Sequence, residues 1–139
     1  RVLQNSRYLV FNDAKSTNWD ASLSALENIL DLKSSDPRVM ILGGQLRGKG
    51  DSPPSEFLEI VARTGVQIYL TGQSGHELRS YFETSMYFET LKEVVESIKD
   101  QYMKAVVLFS PAFPSFDQYK NYVQRGDMFN LLIEQNLGE

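Results

Sequence analysis

Short apolar runs alternate with segments of helical period along the whole chain, and this alternation restricts the possible folds more than any other feature. Four mainly apolar segments have the length of strands that are buried on both faces: residues 8–11, 39–42, 66–70 and 104–109. The segments after them carry apolar residues at helical spacing: residues 18–30, 53–64, 88–98 and 115 onward. With a brief strand at 84–87, strand followed by helix occurs five times. This order predicts an α/β fold with a single doubly wound, mainly parallel sheet and helices on both faces.

Local signals predict where several elements begin and end. Pro53-Pro54 suits the first turn of a helix, because the missing N–H of proline costs nothing there, and Gly65 suits the helix end. Trp19, one residue after the expected helix cap, is predicted to be a surface or interface contact. Three further predictions are a turn over 71–75, a short helix over 77–82, and a helix from Ser115 that breaks near Arg125-Gly126 before a last helix over 127–135.

The composition excludes several kinds of site. The 139-residue chain has 14 Lys and Arg against 18 Asp and Glu, and its formal charge of −4 argues against a nucleic-acid-binding face. Cysteine is absent from the sequence, which rules out disulfides and thiolate metal sites, and the single histidine, His76, argues against a histidine metal cluster. The longest apolar run, 105–109, is far shorter than the ~20 residues of a membrane span, so no membrane partner is expected. The length fits one domain.

In a doubly wound sheet, ligands bind beyond the carboxyl ends of the strands, so the segments after the apolar runs are the places to look. Six of the seven residues at 12–18 are polar, and they precede a helix, whose N-terminal amides favour carboxylates and phosphates. Lys15 and Thr17 in this segment suit an acidic ligand. Asn18, Thr17 or Ser16 could equally serve only to cap the helix, and the residues alone leave the two interpretations about even.

Residues 43–49 match the phosphate-loop pattern GxxxxGK, but the Ser or Thr that binds magnesium is missing and no helix follows at once. We interpret the segment either as a solvated loop or as a loop that brings Arg47 or Lys49 to an anionic ligand.

After the last apolar run, Ser115-x-x-Gln118 has the spacing of a capping box. Capping and ligand binding can coexist there, because Ser115 and the amides behind it form an anion-accepting helix end.

Two of these segments resemble motifs of one enzyme family. Asn-Asp-Ala-Lys-Ser-Thr-Asn at 12–18 resembles the N-D-S-K-A-T-N motif of the Mur ligases that add D-glutamate. Residues 110–127 contain Ser-Pro-Ala, Ser-Phe-Asp-Gln-Tyr-Lys-Asn-Tyr and Arg-Gly-Asp, and they resemble that family's S-P-A-C-A-S-F-D-Q-F-K-N-F-x-x-R-G-D. Ile-Leu-Gly-Gly at 41–44, followed by a basic residue, matches the family's glycine loop.

The resemblance covers the chain and identifies residues 1–139 as similar to the C-terminal, amino-acid-binding domain of that family. It implies an ATP-dependent ligase of peptidoglycan precursor synthesis, which adds D-glutamate to UDP-N-acetylmuramoyl-L-alanine through an acyl phosphate. The UDP-binding and central ATP-binding domains would precede this chain. ATP and Mg²⁺ would then be bound mainly outside it, and the isolated domain would be inactive. A cytoplasmic monomer is implied as well.

The resemblance also implies roles for particular residues. Lys15, as the catalytic cation, and Thr17 would contact the carboxylates of D-glutamate or the acyl phosphate. The other implied contacts are Ser115, the Phe116 amide, Tyr122 and Arg47 (with Lys49 as its competitor) for D-glutamate, and Asp13 and Asn12 for ATP. The sequence departs from the family pattern at Ala14, Phe113-Pro114, Tyr119 and Tyr122, where the family has Ser, Cys-Ala, Phe and Phe.

Two other interpretations stay open. A stand-alone doubly wound module of the binding or receiver type would need no acidic ligand at the helix ends near residues 13–18 and 115. A domain similar to folylpolyglutamate synthetase would also add a glutamate, but the segment 115–121 disfavours it.

Overall fold

The computed structural model describes residues 3–44, 52–113 and 121–138, which form one sheet between two layers of helices. Its strands are β1 (Leu3–Gln4), β2 (Tyr8–Asn12), β3 (Arg38–Leu42), β4 (Gln67–Thr71), β5 (Met86–Phe88) and β6 (Ala105–Phe109). Its helices are α1 (Trp19–Leu30), α2 (Ser55–Thr64), α3 (Gly72–Leu78), α4 (Leu91–Gln101) and α5 (Tyr122–Leu137). Within the described ranges, no helix is long and apolar enough to cross a membrane.

The strand order in the sheet is β1-β2-β6-β3-β4-β5. All neighbouring pairs from β2 to β5 are parallel, and only β1 runs antiparallel, against β2. The sequence analysis did not find β1, which has two residues. Strand β6 lies in the middle, with Val107 opposite both Val10 of β2 and Val39 of β3. The carboxyl ends of β2, β6, β3 and β4 therefore share one edge of the sheet, as the predicted mainly parallel α/β fold requires.

Alternate side chains of each strand enter two separate cores. Met40, Leu42 and Leu108 belong to the core under α1, α2 and α3, whereas Ile41 and Phe109 belong to the core under α4 and α5. Both faces of the sheet are thus covered by helices, which confirms the doubly wound architecture.

Several predicted helix boundaries are confirmed by their capping contacts. Asn18 caps α1, because its side chain accepts a hydrogen bond of 2.9 Å from the amide of Ala21. Helix α2 follows Pro54 and ends at Gly65, which has a left-handed conformation (φ 72°). Helix α4 begins later than the predicted residue 88, because Thr90 and Glu93 form a capping box before Leu91.

The prediction of a turn over 71–75 is wrong, and the helix predicted over 77–82 is misplaced. Helix α3 begins at Gly72 and ends at Leu78. Ser74 explains the early start: its amide donates to the Gly44 carbonyl (2.8 Å), and its hydroxyl accepts from the Gly44 amide (2.7 Å). These contacts with the end of β3 hold a glycine-rich segment in helical form despite its low intrinsic preference. The brief strand predicted at 84–87 is present as β5, shifted toward its carboxyl end.

Two further predictions fail because of contacts between distant segments. Helix α5 continues through Arg125-Gly126 without a break. The glycine serves close packing instead, because a Cβ at Gly126 would stand 3.2 Å from the Ala14 Cβ. Trp19 is buried, with 7% of its surface exposed, and its ring packs edge-on against Phe57 and Phe113 at 5.0 and 5.6 Å. The predicted helix start at Ser115 lies outside the described residues.

Candidate functional site

The loop that follows β2 is attached to the end of β6. We call residues 13–18 the β2–α1 loop and residues 110–113 the β6 extension. The amide of Asp13 donates to the Phe109 carbonyl (2.7 Å), and the amide of Ala112 donates to the Ser16 carbonyl (3.1 Å). Ala112 has a φ of 70°, so the β6 extension turns sharply at this residue. These bonds bring together two segments that the sequence analysis singled out separately.

A carboxylate and three hydroxyl groups lie at the junction of these two segments. Asp13 Oδ2 accepts hydrogen bonds from the hydroxyls of Ser16 and Ser110, the second at 2.9 Å. Behind them, the buried Ser22 hydroxyl on α1 donates to the Ser110 carbonyl (3.0 Å), and the two Oγ atoms lie 2.9 Å apart. Because both bonds to Asp13 use Oδ2, they fix the carboxylate and leave Oδ1 outside this network.

Asn12 is tied to α5 by its side chain. Its amide nitrogen donates to the Gly126 carbonyl (3.0 Å) and to Asn130 Oδ1 (2.7 Å), and its oxygen accepts from the Ala14 amide (2.9 Å). Both polar atoms of the side chain are therefore engaged inside the chain. The contact of Asn12 with ATP stays a prediction.

Lys15 is exposed and lines one end of a groove of about 690 Å³ that extends along α1. The polar end of the groove contains Asn12, Asp13, Lys15 and Ser16, and its apolar part includes Phe11, Ile29, Leu32 and Leu108. Thr17, half-buried, stands two positions after Lys15. The structure thus brings together the candidates Asn12, Asp13, Lys15 and Thr17 at the carboxyl edge of the sheet.

Helix α5 carries the next predicted site residue, Tyr122. It is the first residue of the helix and is half exposed, and Asn121 caps the same turn by accepting from the Gln124 amide (2.9 Å). One turn further on, α5 contacts the β2–α1 loop, so Tyr122 starts the helix that packs against the predicted lysine loop. The predictions for Arg47, Lys49, Ser115 and Phe116 lie outside the described residues and stay predictions.

Arg125 is a site component that the sequence analysis did not single out. Its side chain is 3% exposed, and its guanidinium donates from Nη1 to the Phe113 carbonyl (2.8 Å) and from Nη2 to the Ala14 carbonyl (2.9 Å). No sequence pattern indicated Ser110 as a partner of Asp13, or Ser22 as a partner of Ser110. The match of Arg-Gly-Asp to the family motif was the one sequence signal for Arg125, and it gave no role.

The two glycines that follow β3, Gly43 and Gly44, are fixed through their backbone. Gly43 has a φ of 128°, and a Cβ at this residue would stand 1.8 Å from the Thr71 carbonyl oxygen. Its amide donates to the Pro111 carbonyl (2.9 Å), which links β3 to the β6 extension. The glycine loop therefore starts at the same edge as the β2–α1 loop.

The chemistry available at this edge is that of hydroxyl, amide, carboxylate and ammonium groups. In the part of the chain that the structure describes, no group of three or more His, Asp or Glu side chains is placed to hold a metal ion. Burial raises the pKa of Tyr69 and of Tyr102, but both belong to the face under α4 and α5 rather than to this edge. Such groups suit the binding and orientation of a charged ligand.

No protein-family model matches the chain. Its sequence is similar to curated proteins named UDP-N-acetylmuramoylalanine–D-glutamate ligase. The relative from Vibrio cholerae is 32% identical over 125 residues, which are 89% of this chain and 27% of the relative. The relative from Thermosynechococcus vestitus is 33% identical over 129 residues (87% and 27%), and that from Prochlorococcus marinus is 31% identical over 146 residues (98% and 29%). The chain thus spans less than a third of the length of these relatives.

A solved structure shares the fold. It is titled as UDP-N-acetylmuramoyl-L-alanyl-D-glutamate–2,6-diaminopimelate ligase, superposes with a TM-score of 0.55 at 14% identity, and matches 78% of this chain and 25% of its own. The shared fold is an α/β domain with its polar edge at the carboxyl ends of the strands. The chain belongs to the Mur ligase family, and the relatives above are its D-glutamate-adding members.

Proposed function

We propose that this chain is the C-terminal, amino-acid-binding domain of a cytoplasmic, monomeric ligase that adds D-glutamate to UDP-N-acetylmuramoyl-L-alanine in peptidoglycan precursor synthesis. The observation that carries the proposal is the similarity to D-glutamate ligases along about nine tenths of the chain. The carboxyl edge of the sheet supports the proposal, because the segment that resembles the family's N-D-S-K-A-T-N motif forms the β2–α1 loop beside the groove.

The reaction has two steps in such a ligase. Phosphoryl transfer from ATP activates the L-alanine carboxylate as an acyl phosphate. The amine of D-glutamate then attacks the acyl carbon, and phosphate leaves. None of the proposed contacts of this chain is a nucleophile or a general base. The chain would act by holding D-glutamate so that its amine meets the acyl phosphate, and by balancing negative charge.

Each proposed contact matches one part of the ligand. Lys15 provides an exposed ammonium group, and with Thr17 it would bind a carboxylate of D-glutamate or the acyl phosphate. Tyr122, together with Ser115 and the Phe116 amide, would hold the other carboxylate. Either Arg47 or Lys49 would add a second cation from the glycine loop.

ATP would meet this chain at Asp13. Its carboxylate is fixed through Oδ2, so Oδ1 can accept a hydrogen bond from a ribose hydroxyl. The described residues offer no carboxylate cluster for Mg²⁺. From the likeness to complete D-glutamate ligases, we propose that a central domain of the complete enzyme binds most of the triphosphate and Mg²⁺. We predict that the 139-residue chain alone does not turn over.

The complete enzyme tests the proposal directly. Phosphate release is measured with ATP, UDP-N-acetylmuramoyl-L-alanine and either D-glutamate or L-glutamate. We expect release that depends on D-glutamate. Release with L-glutamate in preference would favour the folylpolyglutamate-synthetase-like alternative, and release with neither would favour a stand-alone binding module.

Lys15→Ala tests the cation of the β2–α1 loop. A lost charge-assisted contact is worth about 1.5–3 kcal/mol, so kcat/KM for D-glutamate should fall about ten- to 150-fold. The melting temperature should not change, because Lys15 is exposed. Lys33→Ala removes an exposed lysine just beyond α1 and serves as the matched control. Equal kinetics of the two variants would remove Lys15 from the site.

A further inference from the structure

We propose that Arg125 is a positioning residue: its guanidinium holds the β2–α1 loop against the β6 extension, so that Lys15 meets a small anionic ligand from a fixed backbone. This inference rests on the proposed function and adds a residue to which the sequence motif gave no role. Arg125 does not itself contact the ligand.

The first argument is the placement of its two hydrogen bonds. The acceptors are carbonyl oxygens of two loops: Ala14, directly before Lys15, and Phe113, directly before the segment that contains Ser115. Peptide groups are planar, so a fixed carbonyl also fixes the start of the next residue. The guanidinium thus fixes the point from which Lys15 leaves the backbone and ties it to the end of the β6 extension.

Arg125 also lies at a position in α5 where a neutral residue would make the helix more stable. Arg125 is in the first turns of α5, where the helix dipole disfavours a cation, and its side chain is almost fully buried. The guanidinium lies 5.9 Å from the centre of the Phe109 ring, in partial compensation. Its position therefore points to a function other than the stability of α5.

The third argument is the packing around Arg125. Gly126 approaches Ala14 so closely that a Cβ would stand 3.2 Å from the alanine Cβ, and its carbonyl accepts from Asn12. The start of α5 therefore contacts the end of β2 and its loop at two residues, Asn12 and Ala14. The Ala14 end of the loop is therefore packed directly against the turn of α5 that carries Arg125.

Loss of Arg125 should change the KM for D-glutamate and not the KM for ATP. The proposed D-glutamate contact, Lys15, directly follows the carbonyl that Arg125 holds, whereas the proposed ATP contact at Asp13 is held by its own bonds to Ser16 and Ser110. Loss of the two guanidinium hydrogen bonds should therefore raise the KM for D-glutamate and leave the KM for ATP nearly constant. Lysine at this position keeps the charge but is a single point donor without the planar fork, so its effect should be intermediate.

The experiment compares Arg125→Met, Arg125→Lys and Leu132→Ala in the complete enzyme. Leu132 is buried on the same helix, in the core under α4 and α5, and it serves as the control for loss of stability. We expect Arg125→Met to raise the KM for D-glutamate at least about tenfold, with less than about a twofold change in the KM for ATP. Leu132→Ala should lower the urea midpoint and leave both KM values unchanged.

The two KM values distinguish failure of the positioning role from failure of the proposed function. A rise in the two KM values together, or a KM for D-glutamate unchanged in both arginine variants, overturns the positioning role while the proposed function stands. If Arg125→Met does not fold, Arg125→Lys gives the same comparison at smaller amplitude. A wild-type enzyme without D-glutamate-dependent phosphate release overturns the proposed function and this inference with it.

Discussion

Two neighbouring loops at the carboxyl edge of the sheet are held in different ways. The β2–α1 loop is held by side chains: Ser110 and Ser16 bind Asp13, and Arg125 binds the Ala14 carbonyl. The turn at Gly43 is held by its backbone, which passes so close to Thr71 that no Cβ fits. A loop of the first kind can be altered one hydrogen bond at a time, whereas a loop of the second kind admits little besides glycine.

The largest effect should come from the backbone-held turn. In Gly43→Ala, the new Cβ would stand 1.8 Å from the Thr71 carbonyl oxygen, at a φ of 128° that side chains rarely adopt. We expect a loss of about 3 kcal/mol or more in the free energy of unfolding, measured by urea denaturation.

Gly65→Ala is the control for this variant. Gly65 also has a positive φ, 72°, but nothing lies within 4 Å of its added Cβ. The control should lose about 1–2 kcal/mol from the left-handed conformation alone. If both variants lost the same stability, the close approach to Thr71 would not be what fixes the turn.

A single substitution in the network that holds the β2–α1 loop should lower the free energy of unfolding less than Gly43→Ala does. Ser110→Ala removes the hydroxyl that donates to Asp13, at a fully buried position, and should lower the free energy of unfolding by about 1–3 kcal/mol. Ser80→Ala, which removes an exposed hydroxyl with a long contact of 3.4 Å to the Glu77 carbonyl, should change it by less than about 0.5 kcal/mol. Equal urea midpoints for the two variants would show that the Asp13 network contributes no stability.

The smallest effect is expected at the end of the β2–α1 loop. Asn18→Ala removes the cap of α1 and should lower the free energy of unfolding by about 1 kcal/mol, as read from thermal melts. Asn18→Asp keeps the capping oxygen and should retain most of the stability. A melting temperature for Asn18→Asp as low as that of Asn18→Ala would mean that the cap is not what holds this end.

The strands could be predicted from sequence because burial on both faces leaves continuous apolar runs, as at β3 and β6. Local patterns failed where a distant segment decides the outcome. Gly126 looks like a helix break, but it is the small residue that lets α5 approach Ala14. Trp19 looks like a surface residue, but Phe57 and Phe113 bury it.

The candidate site followed the same rule: its local polar segment could be predicted from sequence, but its distant partners could not. Its polar residues at 12–18 could be found because a polar segment stands between a strand and a helix. The partners that fix this segment, Ser22, Ser110 and Arg125, come from three other elements and share no local pattern with it. Spacing along the chain therefore indicates the ligand-facing groups but not the groups that orient them.

The strand order also determines when the site can form during synthesis. Strand β6 lies between β2 and β3, so the first strands of the chain cannot join one sheet until residue 109 has been made. Arg125 follows Ala14 by 111 residues, which corresponds to on the order of ten seconds of translation. A chain released early therefore contains the Lys15 loop without the groups that hold it, so interrupted synthesis gives a chain with no formed site rather than one with partial function.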